Sequence, residues 1–130
     1  MLVIVQNDLW VFAVVLVLIA LDYVTGVVKA VCTGTFMSSV MRAGLFHKFA
    51  YIVLIVLCEV LVVAGEVVDL GVLSSGVVTS GVAAWICITE VTSTVENLIV
   101  INPEIANNPL AQRFAVVETV DDEPENDKED

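Results

Sequence analysis

The sequence predicts an all-α membrane protein with three transmembrane helices, short loops and a disordered acidic C-terminal tail. Of the 130 residues, 58% are hydrophobic, whereas apolar residues make up about 45–50% of an average soluble domain. The mean hydropathy is +0.96. A soluble chain this short has too much surface to hide so much apolar material from water. The apolar residues also occur in unbroken runs, without the period-2 alternation of a small β domain.

Three apolar runs are long enough to cross a bilayer as helices. They cover residues 9–31, 45–64 and 76–101, and together they define a membrane domain of residues 1–103. At about 1.5 Å per residue, the first run reaches across a hydrocarbon layer of about 30 Å. Asn102 and Pro103 mark the predicted end of the third helix.

The acidic charge is concentrated in the tail. The net charge is -11, and residues 118–130 hold eight acids and one lysine, which is -7 of that total. We therefore expect residues 104–130 to form a tail that is disordered from residue 118 onwards. An acidic chain repels nucleic-acid phosphates, so no nucleic-acid partner is predicted.

Basic residues predict the orientation in the membrane. Lys29, Arg42 and Lys48 flank the first loop, whereas the second loop contains acids and no bases. Cytoplasmic loops carry the excess of Lys and Arg. The first loop is therefore expected in the cytoplasm, the N-terminus outside and the C-terminal tail inside.

Asp22 interrupts the first apolar run. A carboxylate at the centre of a membrane helix costs about 3 kcal/mol, so this side chain should avoid lipid. Thr25, Gly26 and Lys29 follow three, four and seven positions later, on the same helical face. Two interpretations stay open: an interfacial helix end, or a stripe that faces other subunits or a pore.

The other two runs carry polar and small residues of their own. Glu59 lies inside the second run, and the third has a polar face with Glu90, Ser93 and Asn97. Small residues recur every fourth position at Gly76, Ser80 and Ala84. Such a pattern lets membrane helices approach closely, so this face is expected to pack against another helix.

No catalytic or metal site is predicted. The chain has one His and three Cys, without CxxC spacing, a nucleophile motif or a phosphate-binding loop. Cys32, Cys58 and Cys87 are expected to act as small hydrophobic residues. We predict no enzymatic activity and no cofactor.

The polar positions together resemble a known family. In the first two segments they are Asp22-Tyr23-Val24-Thr25-Gly26, Lys29-Ala30, Gly34, Ser38-Ser39, Gly44-Leu45 and Lys48. In the third segment they are Glu90, Ser93, Glu96-Asn97 and Pro103. In order and spacing they are similar to the phage holin family that groups toxin-secretion with phage-lysis holins. Many members of that family end in a basic tail, so no role is transferred to this acidic one.

The resemblance implies a small protein of the bacterial host's cytoplasmic membrane. Such a protein forms homo-oligomers in the lipid bilayer and, at a timed point, makes lesions through which an endolysin or a toxin leaves the cell. Lysis of the host follows. Two alternatives from other classes stay open, a small accessory subunit of a membrane complex and a small ion channel.

Overall fold

A computed structural model describes residues 2–69, 71 and 76–119, and these residues form helices joined by short turns. Helix α1 covers Leu2–Cys32, α2 covers Ser38–Val67 and α3 covers Val77–Ile101. A 3-10 helix at Pro103–Asn107 and a short helix α4 at Pro109–Thr119 follow. The described residues include no β-strand. The predicted all-α fold is therefore confirmed.

Each of the three long helices is long and apolar enough to cross a membrane. The candidate spans are Leu9–Cys32, Ser38–Val67 and Val77–Ile101. Their most apolar stretches of 18 residues have mean hydropathies of 2.5, 2.4 and 1.4, and at most 22% of the residues in any of these stretches are buried inside the chain. Large apolar side chains such as Phe46 and Val60 point outwards. So extensive an exposed apolar surface fits a lipid environment.

Helix α1 ends in a turn that depends on glycine. Gly34 has a φ of 68°, a left-handed conformation that residues with a Cβ rarely adopt. The N–H of Gly34 donates to the carbonyl of Val31, and the N–H of Thr35 donates to that of Ala30. This pair of hydrogen bonds is the Schellman motif, which closes a helix and redirects the chain.

Helix α2 begins seven residues before the expected start at residue 45. Residues 33–42 were expected to form a loop or an interfacial turn, but the connection contains only residues 33–37 and the helix starts at Ser38. Met37 occupies the position before the first turn, and no side chain caps it. Ser38, Ser39 and Arg42 belong to this helix, so their polarity was a poor guide to the boundary here.

The three spans pack around a small apolar cluster. It consists of Val15 and Ile19 of α1, Ile55 of α2, and Ala83 and Ile86 of α3. Helix α1 makes its most extensive contacts with α3. Residues late in α1 meet residues late in α3 and early in α2, so α1 and α3 run parallel and α2 runs antiparallel to both.

Beyond the third span the chain forms two further short helical elements. Asn102 accepts a hydrogen bond from the N–H of Glu104 through its side chain, and Asn108 accepts one in the same way from Leu110. These caps start the 3-10 helix and α4, and both elements pack back against α3. The described part of the chain ends at Thr119, so most of the predicted disordered tail lies outside the described residues.

A candidate functional site in a buried polar network

Three charged side chains from three helices meet inside the bundle. The ammonium of Lys48 in α2 donates to Asp22 Oδ2 of α1 at 2.5 Å and to Glu90 Oε2 of α3 at 2.6 Å. Both contacts are also ion pairs. One lysine therefore connects all three spans.

Asn97 and Thr25 extend this arrangement. Asn97 Nδ2 donates to Asp22 Oδ1 at 2.8 Å and lies 3.3 Å from Thr25 Oγ1. The hydroxyl of Thr25 donates to the backbone carbonyl of Asp22 at 3.1 Å. We refer to Asp22, Thr25, Lys48, Glu90 and Asn97 as the polar network.

The charged and amide side chains of the polar network are buried. The exposed fractions of Asp22, Lys48, Glu90 and Asn97 are 7%, 9%, 2% and 6%. Asp22 lies ten residues before the end of α1, and Lys48 ten residues after the start of α2. At 1.5 Å per residue both lie about 15 Å along their helices from the connecting turn. Charges at that depth are costly unless they are paired, and here each has a partner.

Helical periodicity explains why these residues converge. Asp22 and Thr25 lie three positions apart on α1, while Glu90 and Asn97 lie seven apart on α3, so each pair occupies one face. Gly26 completes the face of α1. A Cβ atom at Gly26 would lie 3.6 Å from Asn97 Nδ2, which is ordinary van der Waals contact.

The polar network contains more negative than positive groups. Two carboxylates surround one ammonium, so the formal charge is -1 when both acids are ionised. Lys29 lies two turns further along α1 and has no ion pair among the described residues.

A cavity of about 390 Å³ extends from the α1–α2 turn to the polar network. Thr35 and Met37 of the turn line its outer end, and Asp22, Lys48 and Asn97 line its inner end. Residues of all three helices complete the lining, including Lys29, Gly44 and Ser93. We call this space the loop-side cavity.

The structure brings most of the predicted site residues together. Asp22, Thr25, Gly26, Lys48, Glu90 and Asn97 form or touch the polar network, and Lys29, Gly44 and Ser93 line the loop-side cavity. Tyr23, Met37 and Met41 also line the cavity. Tyr23 is part of the quoted motif, but nothing in the sequence marked the two methionines.

Other predicted residues lie elsewhere. Gly34 forms the α1–α2 turn, and Ser39 is exposed in the first turn of α2. Glu59 lies about three turns beyond Lys48 on α2, and Glu96 is half-buried on α3. Neither acid takes part in the hydrogen bonds of the polar network given above.

The small residues of α3 are not buried between the helices of one chain, and two of them lie at the exposed edge of the contact between α3 and α1. Gly76 precedes the helix with a φ of 67°, and Ser80 and Ala84 are exposed. Ser80 and Ala84 line a shallow groove of about 350 Å³ with Trp10, Val14 and their neighbours. A role for this face in packing between subunits stays a prediction.

One sequence interpretation needs correction, and another stays open. Lys48 was expected to flank the first loop, but α2 begins earlier than expected and Lys48 is buried within it. The Asp22 face was interpreted as an interfacial helix end or as a stripe facing subunits or a pore. In the single chain, Asp22, Thr25 and Gly26 face the inside of the bundle, and a contact with other subunits or with a pore stays a prediction.

The described residues contain no group of three or more His, Cys, Asp or Glu side chains that is arranged to hold a metal ion. The buried acids are paired with a lysine and an amide. Such an arrangement can hold three membrane helices together.

Comparisons with known proteins identify the family of this chain. Searches of curated proteins and of solved structures gave no significant match. A model of the bacteriophage holin family matches residues 2–116, which includes the three spans, the polar network and most of α4. The match covers far more than half of the sequence and agrees with the resemblance noted from its motifs. The chain belongs to the bacteriophage holin family.

Proposed function

We propose that the chain forms homo-oligomers in the host cytoplasmic membrane and opens lesions that release an endolysin, or a toxin, at a timed point. The observation that carries the proposal is the family match over residues 2–116. Holins are non-enzymatic membrane proteins, and three helices long and apolar enough to span a bilayer fit that class. Cell lysis would follow once the released endolysin reaches the cell wall.

Oligomerisation is part of the proposal because one chain encloses no wide channel. The centre of the bundle is filled by Ile55 and Ile86, which are 1% and 0% exposed. Three helices in contact leave no passage for a folded protein. A lesion that passes an endolysin therefore needs many copies around a shared opening.

The polar side chains suggest how such an opening is lined. In a single chain the polar network is turned inwards, where Lys48 balances the two acids. A water-filled lesion needs polar side chains on its wall, since lipid-facing apolar residues do not hold water. We infer that the helices rearrange on assembly, so that some of these side chains face the lesion.

We propose an orientation with the N-terminus outside and the C-terminus in the cytoplasm. The burial of Lys48 leaves Lys29 and Arg42 as the basic residues near the α1–α2 turn. Arg42 is exposed in the second turn of α2, close to the membrane surface. Two basic residues on one side, with acids on the other, still favour a cytoplasmic turn.

The alternative of an accessory subunit receives less support from the geometry. In such proteins, acids within the membrane await basic residues on a partner. Here Asp22 and Glu90 already pair with Lys48 of the same chain. A small ion channel remains an alternative, and the size of the released molecule separates it from a holin.

Inducible expression in a bacterial host tests the proposal. The chain is expressed with a cytoplasmic endolysin that lacks its own export signal, and turbidity and release of a large cytoplasmic enzyme are followed. We expect growth to continue for a delay and then to end in abrupt lysis with release of the enzyme. Expression without the endolysin should stop growth and kill the cells at the time when lysis begins in the first culture, but the culture should stay turbid.

The other functions predict different outcomes. An accessory subunit would leave the culture growing in both cases. A small ion channel would depolarise the membrane gradually and would retain the large enzyme. Either result would contradict the proposed holin function.

A further inference from the structure

The loop-side cavity differs from the lipid-facing grooves of a membrane helix bundle because its inner end is charged. It starts at the α1–α2 turn and ends at Asp22 and Lys48, about 15 Å along the helices. Its volume of about 390 Å³ holds roughly a dozen water molecules at about 30 Å³ each.

The lining offers the partners that bound water requires. A stable buried water makes two to four hydrogen bonds with polar groups. Tyr23, Lys29, Thr35 and Ser93 supply such groups along the cavity. A lipid chain in the same space would leave the ammonium of Lys29 and the carboxylate of Asp22 against hydrocarbon, which is unfavourable.

The opposite side of the polar network is closed by apolar packing. Ile19 lies one turn before Asp22 on α1, Ile86 one turn before Glu90 on α3, and Ile55 two turns after Lys48 on α2. All three are buried in the apolar cluster, where they pack against Val15 and Ala83. Among the described residues, these side chains form an apolar layer beside the network.

We propose that the loop-side cavity is a water-binding vestibule that is open to one side of the membrane. Water enters at the α1–α2 turn, reaches Asp22 and Lys48, and stops at the apolar cluster. The polar network therefore exchanges protons and water with one aqueous phase and is sealed from the other. The proposal concerns the single chain and does not depend on lesion formation.

Cysteine accessibility tests the vestibule. In a variant with all three native cysteines replaced by alanine, Gly44→Cys and Ser93→Cys place a thiol in the cavity. Neither is expected to disturb the fold, because a Cβ at Gly44 has no atom within 4 Å and serine and cysteine differ by one atom. Leu45→Cys is the matched control, since Leu45 lies at nearly the same depth and faces outwards.

The purified variants are reconstituted in vesicles and treated with a charged, membrane-impermeant thiosulfonate. A thiol reacts as the thiolate, which forms in water and not in hydrocarbon. Gly44→Cys and Ser93→Cys should therefore react about tenfold faster than Leu45→Cys, or more. A variant that retains only Cys32, which is exposed at the end of α1, identifies the membrane face on which the α1–α2 turn lies. The cavity thiols should react with reagent that is added on this same face.

Two results would overturn the proposal. Equal and slow reaction of the cavity and control thiols would mean that the cavity contains lipid or is closed. Equal reaction from both faces would mean that the apolar cluster is not a seal. Two controls ensure that the reaction rates report access of the reagent to the thiol. All three variants should be labelled completely by maleimide after denaturation, and the folded proteins should unfold at the same temperature. Because lysis is not measured, failure of the holin proposal would leave this result unaffected.

Discussion

Lys48 on α2 donates to the carboxylate of Glu90 on α3 at 2.6 Å, although the two residues lie 42 positions apart in the chain. The same ammonium contacts Asp22 of α1. Apolar packing between membrane helices lacks the driving force that it has in water, since lipid is as apolar as the side chains. We therefore expect this one side chain to contribute strongly to the arrangement of the three spans.

Replacing Lys48 with methionine should destabilise the bundle by about 3–5 kcal/mol, because two buried carboxylates lose their cation. The free energy of unfolding in mixed detergent micelles is the measurement. Lys29→Met is the control and should cost less than about 1 kcal/mol, because Lys29 has no ion pair among the described residues.

A triple variant separates charge from shape in the same network. Lys48→Met combined with Asp22→Asn and Glu90→Gln removes all three charges together. Replacing a whole buried ion network is often nearly neutral, so most of the lost stability should return. A triple variant as unstable as Lys48→Met would show that the geometry of the lysine, not the charge balance, is what matters.

Gly26 provides a graded test of the approach between α1 and α3. A Cβ at this position meets Asn97 at 3.6 Å, so Gly26→Ala should retain the stability of the parent. Gly26→Leu should push Asn97 away from Asp22 and cost about 1–3 kcal/mol through overpacking. Unfolding in detergent, oligomer ladders after crosslinking and the time of lysis are compared for both. Identical behaviour of the alanine and leucine variants would contradict the close contact.

The orientation can be tested with cysteines at opposite ends of α2. After replacement of Cys58 and Cys87, native Cys32 reports the α1–α2 turn. Val68→Cys, in a background that also lacks Cys32, reports the other end, where Val68 is exposed. An impermeant maleimide applied to intact cells should label the Val68 variant and leave Cys32 unlabelled, because the turn is expected in the cytoplasm. The reverse pattern would mean that the protein has the opposite orientation.

Deleting residues 118–130 should leave membrane insertion intact. This segment contributes -7 to the net charge of -11, and acids weigh little in determining orientation. Membrane yield and lysis time of the shortened protein are compared with those of the full chain, and at most the timing should change. Loss of the protein from the membrane fraction would mean that the tail has a structural role.

The sequence predicted the spans and the polar positions more reliably than the contacts between them. Hydropathy identified three helices, and the cost of a carboxylate in lipid indicated that Asp22 should avoid hydrocarbon. The partner of Asp22 was not predictable, because the pairing depends on how α2 rotates against α1 and α3. That rotation is determined by the packing of many side chains, including Ile55, and not by any local pattern.

Boundaries were the other source of error. Residues 33–42 were expected to form a loop or an interfacial turn because they include Gly34, Ser38 and Ser39. Instead α2 already begins at Ser38 and continues through Gly44, which lines the loop-side cavity. The 3-10 helix and α4 were missed for a similar reason: Pro103 and Pro109 resemble helix stops, yet each occupies a first-turn position that tolerates proline.

The short turn after α1 restricts how copies can interlock. Six Cα–Cα steps join Cys32 to Ser38, and even when fully extended they reach only about 20 Å. A helix with its side chains is about 10–12 Å across, so at this end there is room for at most one other helix between α1 and α2. A neighbouring copy can therefore insert a single helix into this hairpin, but not a whole bundle. Any ring of subunits must keep α1 and α2 of each copy side by side or one helix apart.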